Sequence, residues 1–505
     1  MSFSSIYFIL FFITIILIYY ILPVKARNIW LLAGSLVFYI FAGINAFFIL
    51  AAVILFTYFS AILMEKNKSH SGRKLLLALA VFLILMTLFI LKYLKFVLIN
   101  IPDSIFKFNG MEIILPLGIS FFTLKAIGYL IDVYRGNIEA EKNILHFSLF
   151  LSFFPYIVSG PIERAGNILP QIKQKKRFNY ENFCHGLQIM LWGYFLKLIV
   201  AERAAMIADK VFNDYTNYSG IPVIIGFIAY SLQLYFDFSG YSLIAIGTGK
   251  ALGFDIIKNF NQPYFAVSVN DFWKRWHISL TSWFRDYLYI PLGGNRKGVL
   301  RKYGNILIVF IISGIWHGAN WTFMFWGLLH GLFQIMGDFL KKTRLKIVAF
   351  LRIKRDCFSY RFLQRGFTFV LVTLAWVFFR SVNLKQAFEM IYRSVAGFNL
   401  AEAFGSYDTY YFSWIPSGLF LTEGGENWFL NLGLDSLNWV IFISGIIIVF
   451  VMDLILYKKK SPLKWLDNQN LLFRWFIYLF LIFLVLTFGI YGTGFSASSF
   501  IYANF

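Results

Sequence analysis

The chain has 505 residues, of which 59% are hydrophobic, only 14% are charged and 61 are Phe. Soluble globular proteins average about 25% charged residues, so this chain has too few polar side chains to cover soluble domains. Its formal net charge of +21 would suggest nucleic acid as a partner of a soluble protein, but the basic residues lie in loops between apolar segments. Cytoplasmic loops of membrane proteins have this bias. We therefore predict a polytopic membrane protein that binds no nucleic acid.

Cys184 and Cys357 are the only two cysteines of the chain. They cannot form a disulfide framework, and they do not have the spacing of metal ligands. The sequence also lacks the HExxH metal motif and the G-x-S-x-G nucleophile motif with its triad partners. We therefore expect no metal site and no tightly bound cofactor, and any enzymatic chemistry should depend on histidine.

Apolar segments recur along the whole chain, and a helix that crosses a bilayer needs about 20 such residues. Several segments are short or interrupted by Gly and Pro. Such segments can be re-entrant where protein or a water-filled cavity covers them. This pattern predicts an all-α fold. The candidate spans are 3–23, 28–44, 46–64, 75–96, 113–133, 144–161, 183–201, 221–246, 304–317, 320–339, 364–381, 438–456 and 472–491.

The charges of the loops predict the orientation of the chain. Lys25 and Arg27 follow the first candidate span, and a cluster of lysines at 458–460 precedes the last one. Loops rich in Lys and Arg are usually cytoplasmic. We therefore expect both the N-terminus and the C-terminus to be extracytoplasmic, which also places Tyr502 on the outer side.

An unusually polar stretch, "SLQLYFDFSGYSLIAIG" (231–247), lies mostly within the candidate span 221–246. It contains Asp237, and a carboxylate inside a membrane is costly unless it is paired. We expect a partner such as Arg or His. Asp237 either lines a polar path or fixes helix packing, and packing is the favoured interpretation.

The densest mixture of aromatic and basic residues is "NDFWKRWHISLTSWFRDYLYIPLGGNRKG" (270–298). Asn270 or Asp271 can cap a helix at its start. The spacing then predicts one continuous helix in the membrane interface, where such residues collect. A further interpretation points His277 into the protein. The apolar face of the predicted helix contains Trp276, Leu280, Trp283 and Tyr287, and the polar face contains Lys274, Arg275 and Arg285.

"SGIWHGANW" places His317 in an apolar setting between Trp316 and Gly318. A titratable group in an apolar span is by default a candidate functional residue. Gly318 and Asn320 should interrupt the helix and leave room for a pocket. The alternative is a histidine that is hydrogen-bonded to a neighbouring helix.

Together these motifs resemble the membrane-bound O-acyltransferase family, and within it the bacterial branch that O-acetylates alginate, peptidoglycan and exopolysaccharides. The resemblance covers nearly the whole chain, and its motifs occur in the order of the family. They are "PLGISFFTLKAIGYLIDVYRG" (116–136), "SGPIERAGNILPQI" (159–172), "LYFDFSGYS" (234–242), "FWKRWHISLTSWFRDYLYIPLGGNRKG" (272–298) and "GIWHGANWTFMFWGLLHG" (314–331).

The resemblance implies a single membrane domain over residues 1–505. In such a domain, a ring of roughly 11–13 transmembrane or re-entrant helices surrounds a thinned centre with a funnel or tunnel. The core motifs would occupy 114–340, the segment 265–298 would be interfacial or re-entrant, and the C-terminal spans would occupy 362–491.

The resemblance also implies an acyltransferase with named site residues. The invariant histidine of the family corresponds to His317, and the second motif histidine to His277. Leu243 stands where many relatives have an acidic residue, which weakens a site role for that stretch. The supporting or tunnel candidates are Trp276, Trp316, Asn320, Asp237 and Arg275.

The tail 492–505 ends in "FIYANF", which fits the F-x-Y-x-x-F pattern at the C-terminus of this branch. The resemblance makes Tyr502 a candidate acyl relay, and the alternative is an aromatic anchor at the membrane interface. The implied donor is acetyl-CoA or an acyl-carrier thioester. The implied partner is an extracytoplasmic or membrane-tethered acetyltransferase of the SGNH type, and the implied location is the bacterial plasma membrane.

The sequence is also compatible with two other functions. One is transfer of D-alanine to teichoic acids on the same fold. The other is a transporter or flippase without covalent chemistry, which fits the hydropathy of the chain equally well but leaves the motifs unexplained.

Overall fold

The computed structural model describes residues 3–101, 115–158, 160–396 and 432–491. The regular structure of these ranges consists of helices without β-strands. In chain order the helices are α1 (Ile6–Ile21), α2 (Val24–Ile40), α3 (Ile44–Lys66), α4 (His70–Ile99), α5 (Ile119–Arg135), α6 (Ile144–Ser152), α7 (Ala165–Lys173), α8 (Tyr180–Asn213), α9 (Ile221–Ala251), α10 (Val269–Trp273), α11 (Ile278–Phe284), α12 (Val299–His317), α13 (Trp321–Phe339), α14 (Lys341–Phe350), α15 (Phe358–Arg380), α16 (Leu384–Ala396), α17 (Ser436–Tyr457), α18 (Pro462–Asp467) and α19 (Leu471–Phe488).

Within the described ranges, 8 helices are long and apolar enough to cross a membrane. The number is up to 9 if α13 and α14, which meet at a bend of 49°, form one span. This confirms the prediction of an all-α, multi-pass membrane protein. The candidate span 144–161 forms only the 9-residue helix α6 and then leaves the helical conformation, as expected for an interrupted segment.

Helices α8 and α9 form the centre of the protein. Buried residues make up 56% and 67% of their most apolar windows, against 6% for the largely exposed helix α19. Glycines let the two backbones touch: a Cβ atom on Gly193 would lie 2.8 Å from the Gly240 carbonyl oxygen, and one on Gly247 would lie 2.5 Å from that of Gly186. Small residues commonly allow such close packing between membrane helices.

The aromatic and basic segment differs from the single interfacial helix that its spacing predicts. Ser268, and not Asn270 or Asp271, caps α10, and the helix ends at Trp273. The backbone then turns at His277, whose φ of 44° is left-handed, before α11 begins. Phe272, Trp273, Trp276 and Trp283 are all buried. The prediction of one helix was wrong because the left-handed residue His277 interrupts it, whereas the interfacial or re-entrant position of the segment stays a prediction.

Candidate active site

His317 is the last residue of α12 and has an exposed fraction of only 3%. After it, Gly318 is extended, and Asn320 caps α13 by accepting a hydrogen bond from the Thr322 N–H at 3.1 Å. The Asn320 amide also donates to the Val382 carbonyl at 2.9 Å, so its role in this structure is to fix the turn.

An aromatic cage surrounds the imidazole of His317. Its ring centroid lies 4.9 Å from that of Trp316, 5.1 Å from that of Trp326 and 5.2 Å from that of Phe379. Helices α12 and α13 pack closely beside the cage. A Cβ atom added to Gly314 of α12 would overlap the Phe323 carbonyl oxygen of α13. The imidazole of His317 is therefore buried among aromatic rings.

His277 has an exposed fraction of 0%, which confirms the interpretation that it points into the protein. Its ring packs edge-on against Phe238 with a centroid distance of 4.6 Å, and it lies 6.3 Å from the ring of Trp316. Trp316 therefore contacts both motif histidines, and its indole N–H donates to the Ser120 carbonyl at 3.3 Å. The structure brings His277, Trp316 and His317 together from segments that are 40 residues apart in the chain.

A polar network fixes the backbone beside His277. The Asn259 carbonyl accepts from the Ile278 N–H at 2.9 Å, and the Asn259 side chain accepts from the Ser279 hydroxyl at 2.6 Å. The Ser279 oxygen in turn accepts from the Ile162 N–H at 3.0 Å. This network joins the His277 segment to the "SGPIERAGNILPQI" motif.

Glu163 of that motif is buried and organises the neighbouring loop. Its carboxyl accepts from the Ile257 N–H at 2.6 Å and from the Asn167 amide at 2.9 Å. Burial raises the pKa of the Glu163 carboxyl, and these hydrogen bonds oppose the rise. Glu163 therefore stabilises the loop next to the candidate site.

Asp237 is paired, as expected for a carboxylate within an apolar span, and its basic partner is a lysine. Lys197 Nζ lies 2.6 Å from an oxygen of Asp237 and 2.6 Å from an oxygen of Glu202, and all three side chains are buried. Lys197 lies in a π-helical turn of α8, Phe195–Ala201. Since Asp237 precedes the Phe238 that contacts His277, these contacts support its interpretation as a positioning residue.

Trp276 and Arg275 occupy different surroundings. Trp276 stacks on Phe272 with a centroid distance of 5.3 Å and belongs to the aromatic core. Arg275 forms an ion pair with Asp271 at 3.0 Å, and its guanidinium lies 5.5 Å from the ring centroid of Tyr457. Arg275 therefore ties this segment to α17, and a tunnel role for either residue stays a prediction.

Two cavities adjoin the site motifs. One of about 580 Å³ lies between the α8–α9 pair and the C-terminal helices, and it reaches Asn259 and Ile278, beside His277. Another of about 700 Å³ is almost entirely apolar and is bordered by Trp316 and Gly318. Each motif histidine therefore has a neighbour that lines a cavity.

Sequence reasoning did not single out Lys92 or Lys197, whereas His330 stood out beside His277 and His317 without an assigned role. His330 is buried, and its Nδ1 accepts from the Trp273 indole N–H at 3.2 Å. A signal was present for the lysines, because a charge within an apolar span is costly and marks a candidate functional residue. Tyr502 lies outside the described residues.

The sequence profile of the membrane-bound O-acyltransferase family matches residues 138–380. The chain is 39% identical over 399 residues to the probable alginate O-acetylase AlgI of Azotobacter vinelandii, which covers 77% of each chain. The chain belongs to the membrane-bound O-acyltransferase family.

Two other relatives indicate which branch of the family this O-acyltransferase resembles more. It is 37% identical over 421 residues to the peptidoglycan O-acetyltransferase of Helicobacter pylori, covering 75% of this chain and 77% of that one. The teichoic acid D-alanyltransferase of Bacillus subtilis is 27% identical over 241 residues, covering 46% of this chain and 60% of that one. The chain is an acyltransferase, and these comparisons support a membrane O-acetyltransferase.

Proposed function

We propose that this enzyme moves an acetyl group from a cytoplasmic thioester, acetyl-CoA or an acyl-carrier thioester, toward hydroxyl groups of an extracellular polysaccharide or peptidoglycan. The observation that carries the proposal is the cluster of His277, Trp316 and His317 at a break between membrane helices. Its setting is a chain more than a third identical to O-acetyltransferases of alginate and of peptidoglycan.

In the proposed step, a nitrogen of His317 accepts the proton of the acceptor hydroxyl while the hydroxyl oxygen attacks the thioester carbonyl carbon. The new C–O bond forms, the C–S bond breaks, and the leaving thiolate takes the proton from the imidazolium. The products are an acetyl ester and a free thiol. Such general base catalysis typically contributes about 10²–10⁴-fold to the rate.

The first acceptor in this proposal is the phenol of Tyr502 on the outer side of a bacterial plasma membrane, with both chain termini extracytoplasmic. A phenol has a pKa of about 10, so a phenolate is a better leaving group than a sugar alkoxide. An acetyl group on Tyr502 would therefore be passed on more readily than one on a sugar hydroxyl. An extracytoplasmic or membrane-tethered partner of the SGNH type would then pass the acetyl group to the polymer. His277 would orient His317 or contact the thioester.

Mass spectrometry of the envelope polymers tests this function. The chain is expressed, together with a partner of the SGNH type, in cells that lack their own genes for polymer O-acetylation. We expect base-labile acetyl groups on a polysaccharide or on peptidoglycan, which disappear in a His317→Ala variant. D-Alanyl esters in place of acetyl groups would assign the enzyme to the other branch, and unmodified polymers would contradict the proposal.

A further inference from the structure

The end of α12, where His317 lies, presents a physical problem. The last four carbonyl groups of any α-helix have no partner within the helix. In a membrane no water is at hand for such groups, so protein groups must satisfy them. For α12 they belong to Ile315, Trp316, His317 and the capping residue Gly318.

Helix α4 supplies most of the missing donors. Lys92 Nζ donates to the Trp316 carbonyl at 2.7 Å and to the His317 carbonyl at 3.1 Å. The neighbouring Tyr93 hydroxyl donates to the Ile315 carbonyl at 2.9 Å. The Gly314 carbonyl accepts the last helical bond, from the Gly318 N–H at 3.4 Å, so Ile315, Trp316 and His317 are the residues whose carbonyls α4 satisfies.

The third contact of Lys92 restricts its role. Its Nζ also lies 3.1 Å from the Ser120 hydroxyl oxygen, on the helix whose Ser120 carbonyl accepts from Trp316. An ammonium group has three N–H donors, and here each has an acceptor from the protein. The ammonium form of Lys92 in this arrangement has no N–H left for a substrate, and a positive charge at this position would suit the negative end of the helix dipole.

The local backbone of α4 explains why two adjacent residues reach the same helix end. Residues Phe89–Tyr93 form a π-helical turn. Such turns are rare and occur frequently at functional sites. Here the turn places Lys92 and Tyr93 side by side against α12.

We propose that Lys92 is a positioning residue for His317, fixing the backbone from which the imidazole projects. The inference rests on the proposed function, in which His317 is the general base. A displacement of about 1 Å at a reacting group can lower the rate about 10²-fold. Loss of Lys92 should therefore lower the turnover and leave donor binding unchanged.

The experiment compares purified, folded variants for kcat and for the KM of acetyl-CoA. Lys92→Met removes all three N–H donors, and Lys92→Arg retains a cation with several donors. Lys95→Met is the matched control, because Lys95 lies on the same helix with an exposed side chain. We expect kcat to fall about 10²-fold in Lys92→Met with an unchanged KM. Lys92→Arg should recover most of the loss, and Lys95→Met should match the wild type.

Three results would overturn the inference: a wild-type kcat in Lys92→Met, a raised KM with unchanged kcat, or a folded Lys92→Arg that is as slow as Lys92→Met. If Lys92→Met cannot be recovered folded, Lys92→Gln decides, because its shorter, neutral side chain has fewer N–H donors at the same position. A lower kcat there with an unchanged KM supports the inference, and a wild-type kcat overturns it. An active Lys92→Met beside an inactive His317→Ala would refute only Lys92, whereas an active His317→Ala would refute the proposed function.

Discussion

Lys197 and Asp237 form an ion pair of 2.6 Å between the two central helices, and both side chains are buried. The pair joins a π-helical turn of α8 to the residue before Phe238, which packs on His277. The ring of Phe238 therefore connects this buried ion pair to His277.

The first prediction concerns this ion pair. Removing one partner of a buried ion pair typically costs about 3–5 kcal/mol, and the cost for Asp237 should lie toward the lower end because Lys197 keeps its contact with Glu202. We expect Asp237→Ala to lower the thermal midpoint of the detergent-purified protein markedly, as measured by fluorescence-detected size-exclusion chromatography.

The control for that variant is the solvent-exposed pair Lys210–Asp214, whose side chains are 45% and 43% exposed. Asp214→Ala should leave the midpoint unchanged, because exposed ion pairs contribute little. Equal midpoints for Asp237→Ala and the wild type would show that the buried pair does not stabilise the α8–α9 contact.

The second prediction separates the backbone role of His277 from its chemical role. Its φ of 44° is a conformation that Asn tolerates well and that other residues with a Cβ adopt at a cost. We expect His277→Asn to give more folded protein than His277→Ala. Both should lose activity, by about 10²-fold if the imidazole takes part in the reaction.

The measurement for His277 is acetyl transfer per amount of folded protein. If His277→Asn transfers acetyl groups at the wild-type rate, the residue has only a backbone role. In that case the reaction depends on His317 alone among the motif histidines.

The third prediction concerns the tail. Tyr502→Phe removes one oxygen and keeps the aromatic ring, so an interface anchor would be unaffected. We expect the variant to reach the membrane in normal amounts and to lose polymer acetylation. Mass spectrometry of the intact wild-type protein should also detect an acetyl group that maps to Tyr502.

Two findings would count against the relay. Normal polymer acetylation in Tyr502→Phe would reduce the tail to an anchor. An acetyl group that maps to another residue would move the relay elsewhere.

The all-α fold and the burial of His317 and His277 could be predicted from the sequence, because hydropathy and the cost of a titratable group in a membrane depend on local residue types. The break at His277 could not, since its left-handed backbone depends on contacts such as the bond from the Ile278 N–H to the Asn259 carbonyl, which only the folded chain shows. Side-chain pairing was equally inaccessible. The contact between Lys92 and the Trp316 carbonyl joins residues 224 positions apart, and an isolated sequence does not reveal which buried groups meet over such a separation.

The most direct test of the account is acetyl transfer to the polymer by a His317→Ala variant, with His70→Ala as control because His70 is exposed at the start of α4. Both proteins are quantified in the membrane and checked for a single size-exclusion peak before acetyl ester is measured. The account predicts wild-type acetylation in His70→Ala and none above background in folded His317→Ala. Wild-type acetylation in His317→Ala would contradict it.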